Sequence, residues 1–334
     1  MSGPASVGAP TAQDVWAARR RIRDLVAAPP VVPSLPLSER WGGRVHLQME
    51  YASAVGSFKV RGAANALRAR HARSPLAGVA TFSTGNHGAA VAYVAQDLGI
   101  PAAVFVPEGV PPVKIRQLER WGADVHVGGA SQAEAASRCE ERAQAEGWWV
   151  VPPFDHPDVI AGQGTAGLDL LDRCPEVDTV LVPVSGGGLL AGVALVLKAA
   201  APAIRIVGIG ARQAPSMAAS VRAGRPVAAT EGPTWADSLL GGLGADNQYT
   251  LRLVQRLVDD MVEVSEEEIA GGLRFLLREH RIVVEGAAAV GVGALLGGHV
   301  PPGAAAAVLL TGNAVDPERV CALLSQASDP RAGE

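Results

Sequence analysis

Cysteine is scarce, basic runs are missing, and no long uninterrupted apolar stretch occurs, and each absence removes a class of function. Cys139, Cys174 and Cys321 are odd in number, widely scattered and without metal-ligand spacing. They do not form a disulfide framework and fit free buried thiols in a reducing compartment, which points to the cytoplasm. Lys and Arg (29) nearly balance Asp and Glu (33), leaving a formal net charge of -4. The sequence-independent attraction that drives nucleic-acid binding is therefore missing, and a small molecule is the expected partner. No apolar run is long enough for a secure membrane span. Residues 1–10 have neither the basic nor the apolar region of a signal peptide and read as a disordered tail. What is present is core-forming material: 48% of the 334 residues are apolar, enough for two folded lobes.

A helical pattern from Ala12 to Ala28 stops at Pro29-Pro30. Pro33 to Arg40 reads as a loop, Val45 to Glu50 as a short strand, and Ser57 as the N-cap of a helix carrying Val60, Ala63, Ala64 and Leu67. Beyond Gly78 apolar runs alternate with helical patterns. Strands are expected at Val79 to Phe82, Ala102 to Val106 and Val125 to Val127, and helices at Gly88 to Leu98 and Val113 to Arg120. After Pro152-Pro153 the alternation resumes: helix Pro157 to Asp172, strand Thr179 to Val184, helix Leu189 to Ala200, strand Arg205 to Gly210. This rhythm predicts βαβ units and parallel sheets covered by helices, an α/β fold of two lobes. The expected division is a large domain from 11–77 and 154–334 with a small one from 78–153.

Gly224 to Gly244 is irregular and too long for an idle connector, so it either lines a site or makes a surface excursion. Ser265 and Glu268 have capping-box spacing, which makes Glu266-Glu267-Glu268 a helix start and not a metal site. Val283 to Leu296 is a Gly/Ala-rich helix, and Ala306 to Leu310 a last buried strand before Thr311-Gly312-Asn313.

Three stretches carry chemistry. Ser185-Gly186-Gly187-Gly188-Leu189 joins a strand to a helix; backbone N-H groups there can converge on a phosphate, although such a loop also serves as a tight turn with no ligand. It lacks the Gly-Lys-Ser/Thr of a nucleotide-triphosphate loop and the glycine order of a dinucleotide fingerprint. Ser83-Thr84-Gly85-Asn86-His87 ends another strand and offers hydroxyls, an amide and an imidazole to a carboxylate or phenolic oxygen, or else simply caps a helix. Lys59, in the first turn of its helix, would by itself be read as a solvated surface residue.

In combination these stretches are a signature. Ser57-Phe58-Lys59-Val60-Arg61-Gly62, Ser83 to His87, Pro152-Pro153-Phe154 through Val159 to Thr165, Ser185 to Leu189, and Thr311-Gly312-Asn313 occur in this order. The chain thereby resembles the fold-type II pyridoxal-phosphate enzymes, the threonine/serine dehydratase and serine racemase group, over about residues 15 to 320. Ala236 to Gly242 and Asp246 to Thr250 look most like the hydroxyectoine-utilisation dehydratases.

The resemblance implies a tryptophan synthase β-like fold, pyridoxal 5'-phosphate as cofactor, an amino-acid-like substrate and a homodimer. Lys59 matches the lysine that carries the cofactor aldehyde and then removes the α-proton, Phe58 the residue beside the ring, and Asn86 the amide at the 3-oxygen. Ser185, Gly186, Gly187, Gly188 and Leu189 match the phosphate cradle. Ser83, Thr84, Asn86 and His87 match the loop that grips the substrate carboxylate, and Thr311 the hydroxyl opposite the ring nitrogen. A hydroxyl there makes the ring a weaker electron sink, disfavours a long-lived carbanion and favours prompt loss of a β-hydroxyl.

Thr84 stands where racemases of the group carry the serine that acts as second-face acid/base, so Thr84 is the second catalytic candidate, and its methyl ranks racemisation below elimination. The metal-binding glutamate of metal-dependent members falls at about Gly210, so no metal is expected. The usual Ala-Asp-Gly turn reads Ala236-Asp237-Ser238, which alters the expected substrate wall. The expectation is a dehydratase acting on threonine, serine or a hydroxyectoine-type derivative. The alternatives are a racemase or β-replacement enzyme of the same group, and a non-catalytic ligand-binding protein on this fold.

Overall fold

The computed structural model describes residues 8–83, 85–110 and 112–325. The strands are β1 (Val31–Pro33), β2 (Arg44–Gln48), β3 (Val79–Phe82), β4 (Ala102–Val106), β5 (Asp124–Val127), β6 (Trp149–Val150), β7 (Thr179–Pro183), β8 (Arg205–Ala211), β9 (Asp260–Val264) and β10 (Ala305–Leu309). The helices are α1 (Ala12–Ile22), α2 (Leu35–Trp41), α3 (Lys59–Arg73), α4 (Asn86–Leu98), α5 (Pro112–Arg120), α6 (Gln132–Glu146), α7 (Pro157–Arg173), α8 (Gly188–Ala200), α9 (Ser216–Ala223), α10 (Thr250–Leu257), α11 (Glu266–Phe275), α12 (Gly286–Leu296) and α13 (Pro317–Ser325).

Two sheets organise these elements. One has the order β1-β2-β10-β7-β8-β9 and is parallel except for the β1–β2 pair; the other is β5-β4-β3-β6, parallel throughout. The four-stranded sheet is built from residues 79–150, and the six-stranded sheet takes its strands from both sides of that stretch. Every residue of β4, β7 and β10 is buried, which is why these segments read as continuous apolar runs: helices cover both faces of a parallel sheet. β2, β10 and β7 run in register, Leu309 opposite Gln48 and Val308 opposite Leu181. Their carboxyl ends therefore share one edge, the edge at which open α/β sheets place ligands.

Local chemistry explains where the structure departs from the sequence expectations. Pro33 to Arg40 is not a loop. Ser34 Oγ accepts the Leu37 N-H, Pro36 sits at the start of α2, and Gly42 (φ 86°) ends it. α1 stops at Ile22, and a turn formed by the Leu25 and Val26 N-H groups on Ile22 O replaces the expected last turns. α6 is an element that periodicity did not single out; Ser131 caps it and Gly147 (φ 67°) closes it. The expected helix from Val283 begins only at Gly286, with Glu285 as its N-cap. The Ser265/Glu268 capping box is present in both directions, at 3.3 and 2.6 Å. Of the expected tail, residues 1–7 lie outside the described residues.

Ser57 is the instructive correction. Phe58, not Ser57, is the N-cap of α3, and the Ser57 hydroxyl is buried without a partner. Its backbone instead forms an isolated antiparallel bridge with Gly312.

Candidate active site

Lys59 opens α3 at the carboxyl edge of the six-stranded sheet. The Ser57–Gly312 bridge continues on both sides: Phe58 N donates to Thr311 O (3.0 Å) and Asn313 N to Gly56 O (3.1 Å). The Thr311 segment is thus fastened to the Lys59 segment through backbone. The Lys59 amine donates to Pro153 O at 3.1 Å and lies 5.3 Å from the centre of the Phe58 ring. Burial lowers its pKa to about 8, against the pull of the Glu285 carboxylate in the other direction. An amine so placed is neutral in a far larger fraction at pH 7 than a surface lysine.

Pro153 leads directly to Phe154, which lies against the glycine loop. A Cβ on Gly186 would run into the Phe154 ring, and one on Gly188 would come within 3.1 Å of the Phe154 Cα. Gly187 adopts φ 86°, the left-handed region, as N-cap of the thirteen-residue α8. A side chain is accordingly opposed by contact at Gly186 and by backbone at Gly187, and would be crowded at Gly188. Its N-H groups and the start of α8 supply positive potential for a phosphate. The neighbouring segment is fixed by Asp155, which accepts the N-H groups of Gln248, Tyr249 and Thr250 at 2.6, 3.0 and 2.8 Å. Ser185 is half-buried and Leu189 is buried in the core beneath the loop.

Asn86 begins α4, and its Nδ2 donates to both Glu285 oxygens, at 2.9 and 3.1 Å. Its Oδ1 is buried without a partner. Gly312 touches the same pair: a Cβ there would collide with the Glu285 carboxylate and sit 3.1 Å from Asn86 Nδ2. Thr311, next along, is buried. Lys59, Phe58, Asn86, Thr311 and the glycine loop are therefore joined through Pro153-Phe154 on one side and Gly312 on the other.

The Ser83–His87 loop is described except at Thr84. Ser83 Oγ accepts the Gly85 N-H at 3.4 Å, and Thr84 lies outside the described residues. His87 Nε2 is 3.0 Å from Val151 O, so that nitrogen carries the proton and Nδ1 is left as an acceptor. Burial and the Lys59 charge push its pKa down to about 3. A neutral His87 in this tautomer has no N-H left for a substrate carboxylate.

Two groups escaped the sequence reading. Glu285 is buried, and burial pushes its pKa up to about 7; Asn86 opposes that shift, Asp237 adds to it, and Ser238 and Lys114 oppose it in turn. A lone carboxylate at the head of the apolar stretch Gly286 to Leu296 was the available signal. Arg61 was quoted only as part of a motif. Its guanidinium meets Glu50 at 2.7 and 3.0 Å, Asp169 at 2.8 Å and Thr165 at 2.9 Å, all buried, and Gln48 Nε2 joins Glu50 at 2.7 Å. This network locks α3 against β2 and α7 two residues after Lys59.

A cavity of about 260 Å³ borders Glu285 and is lined by Lys114, Trp235, Asp237, Asn313, Arg319 and Leu323, among others. Among the described residues no cluster of three or more His, Cys, Asp or Glu could hold a metal, and no helix is long and apolar enough to cross a membrane. The residues fit pyridoxal phosphate on the structure's own terms: a buried amine of depressed pKa, a glycine cradle at a helix start, a buried threonine and a buried asparagine amide.

Comparison with known proteins agrees. The family model described as "Pyridoxal-phosphate dependent enzyme" matches residues 22–312. An L-threonine ammonia-lyase of Thermotoga maritima is 39% identical over 92% of this chain and 76% of its own length. An L-threo-3-hydroxyaspartate ammonia-lyase of Saccharomyces cerevisiae is 34% identical over 96% of this chain and 98% of its own. The structure of maize serine racemase superposes with a TM-score of 0.88 at 31% identity, covering 95% of this chain and 98% of that one. The fold is that of the fold-type II enzymes, and the chain belongs to the pyridoxal-phosphate dependent enzyme family.

Proposed function

We propose that the chain is a dehydratase that uses pyridoxal phosphate to eliminate water from a small β-hydroxy amino acid, with ammonia released from the unsaturated product. The observation that carries this reading is the buried Lys59 amine, held at Pro153 O with its pKa lowered to about 8. Relatives named for threonine and hydroxyaspartate deamination support the lyase class.

Lys59 would hold the cofactor aldehyde, Gly186, Gly187, Gly188 and Leu189 with Ser185 its phosphate, Asn86 the ring's 3-oxygen, and Phe58 one side of the ring. When bound, the cofactor withdraws electrons from the substrate's α-carbon and so acidifies the α-hydrogen. The chain's own part is positional. The Lys59 amine would accept the α-proton at Nζ. Thr311 would offer the ring nitrogen a neutral hydroxyl and no full counter-charge, which would favour loss of the β-hydroxyl, leaving as water with one added proton, over reprotonation. The Ser83–Asn86 turn receives the substrate carboxylate through hydroxyls and backbone N-H groups, with Thr84 as the group on the second face. In this tautomer His87 contributes shape to that pocket and not charge.

The chain divides into a large unit, 11–77 with 154–334, and a small unit, 78–153; the origin of each sheet's strands supports this division. Cys139 and Cys174 are buried and free, in keeping with a cytoplasmic enzyme, and a homodimer is the proposed assembly. The wall formed by Ala236-Asp237-Ser238 selects among threonine, serine, hydroxyaspartate and a hydroxyectoine-type derivative. Keto-acid and ammonia release measured with each of the four tests the function. Keto acid from at least one of the amino acids is expected; inversion of serine without keto acid would favour the racemase reading instead.

A further inference from the structure

The sequence resemblance assigns Asn86 to the cofactor ring and is silent on what fixes the Asn86 side chain. An asparagine amide has two nearly isosteric orientations that exchange its donor and acceptor, and a ring oxygen distinguishes them. In this structure one neighbour makes the choice. Both oxygens of Glu285 lie within hydrogen-bond distance of Asn86 Nδ2. Above its pKa of about 7 the Glu285 carboxylate accepts hydrogen bonds and cannot donate them, so in that state the nitrogen must face Glu285 and Oδ1 must face away. One N-H of the amide is then engaged, the second is available, and Oδ1 is buried and unpartnered.

Glu285 is itself immobilised. Its backbone N-H is bonded to Gly312 O at 3.1 Å, its carboxylate closes on the space a Gly312 Cβ would fill, and it is 3% exposed. It makes no side-chain cap to α12 although it occupies the N-cap position. A buried carboxylate at a helix start that leaves the helix N-H groups alone and turns to an amide on α4 is placed for that amide. Lys59 on α3, Lys114 on α5, and Asp237 with Ser238 on the turn at Asp237–Leu239 are the other groups whose charge or hydrogen bonding reaches it.

We propose that Glu285 is a positioning residue of this enzyme: its carboxylate holds the Asn86 amide in the single orientation that presents an N-H to the 3-oxygen of the pyridine ring. The role rests on Asn86 meeting that oxygen, as proposed above. It also makes the cavity on the other side of Glu285 consequential, since Asp237 and Lys114 at its wall shift the charge of the same carboxylate.

The experiment is a double-mutant cycle read by cofactor binding to the cofactor-free chain. Pyridoxal phosphate is titrated into wild type, Glu285→Gln, Asn86→Ala and the double variant, following the visible absorbance of the bound cofactor; far-ultraviolet circular dichroism reports folding. Glutamine has the volume of glutamate but offers both donor and acceptor, so the amide loses its enforced orientation. Expected are an affinity loss of about tenfold and a shifted absorbance maximum in Glu285→Gln, with the double variant no worse than Asn86→Ala alone. Glu285→Asp, which keeps the carboxylate, should recover part of the affinity and supplies the readout if the glutamine variant fails to fold. Wild-type affinity and spectrum in Glu285→Gln, or losses that multiply in the double variant, would overturn the role. If wild type itself gives no absorbing complex, the failure lies with the proposed cofactor site and not with Glu285.

Discussion

Ser57 and Gly312, from opposite ends of the chain, form an isolated antiparallel bridge, and that bridge is the structural reason Lys59 and Thr311 share a site. Phe58 N on Thr311 O and Asn313 N on Gly56 O extend it, so the two segments are joined by backbone and not by adaptable side chains. Gly312 is tightly enclosed, because a Cβ there would enter the Glu285 carboxylate and approach Asn86.

Gly312→Ala should therefore damage binding more than folding. Overpacking at a rigid site costs about 1–3 kcal/mol, here spent on displacing Glu285 and Asn86. Cofactor titration should show an affinity loss of about tenfold or more, and the melting temperature of the cofactor-free chain should fall by only a few degrees. Unchanged affinity would mean that the bridge does not border the ring.

Arg61→Ala should be severely destabilising. Burial alone would lower the pKa of the guanidinium, but Glu50 and Asp169 outweigh it and hold it above its ordinary value, while burial pushes Asp169 up. Removing the cation leaves two buried carboxylates facing each other, and breaking a buried pair in this way costs about 3–5 kcal/mol. Urea unfolding of the cofactor-free chain measures it; a loss under about 1 kcal/mol would show that α3 is held by packing alone.

His87 gives the cofactor-free chain a pH signature. Its folded-state pKa of about 3 lies below the ordinary 6.5, so between those values the unfolded chain binds more protons. The stability contributed by a neutral His87 is complete above pH 6.5 and is lost as pH falls toward 3. Glu285, raised to about 7 from 4.5, acts in the opposite sense, contributing stability below pH 4.5 that is lost as pH rises through 7. The two trends overlap, so the informative quantity is a difference. Unfolding free energies at pH 4, 5, 6 and 7 should fall more steeply on acidification in wild type than in His87→Gln; parallel curves would contradict the buried, neutral state.

Much of this was legible in the chain. The apolar runs of β4, β7 and β10 announce strands buried on both faces, and the glycine triplet that runs into α8 announces a backbone cradle that side chains would fill. Ser57 and Glu285 show where legibility stops. A serine before a helical pattern has the form of a cap, and only the return of the Gly312 segment makes its backbone a sheet bridge instead. Glu285 offers only a lone carboxylate at the head of an apolar stretch, and what it meets depends on α4 arriving from the other sheet with Asn86 at its start. The α2 helix is a different case, since Ser34, Pro36 and Gly42 carried the stop and start signals and the proline cluster obscured them.

The central claim is that the Lys59 amine is the group that carries the cofactor and takes the α-proton. Wild type and Lys59→Ala are loaded with pyridoxal phosphate, reduced with borohydride, and assayed for bound mass at the Lys59 peptide alongside keto-acid release from the best substrate. Wild type should gain the cofactor's mass on that peptide and turn over, and Lys59→Ala should do neither. Persistence of both the covalent cofactor and turnover in Lys59→Ala would contradict the account.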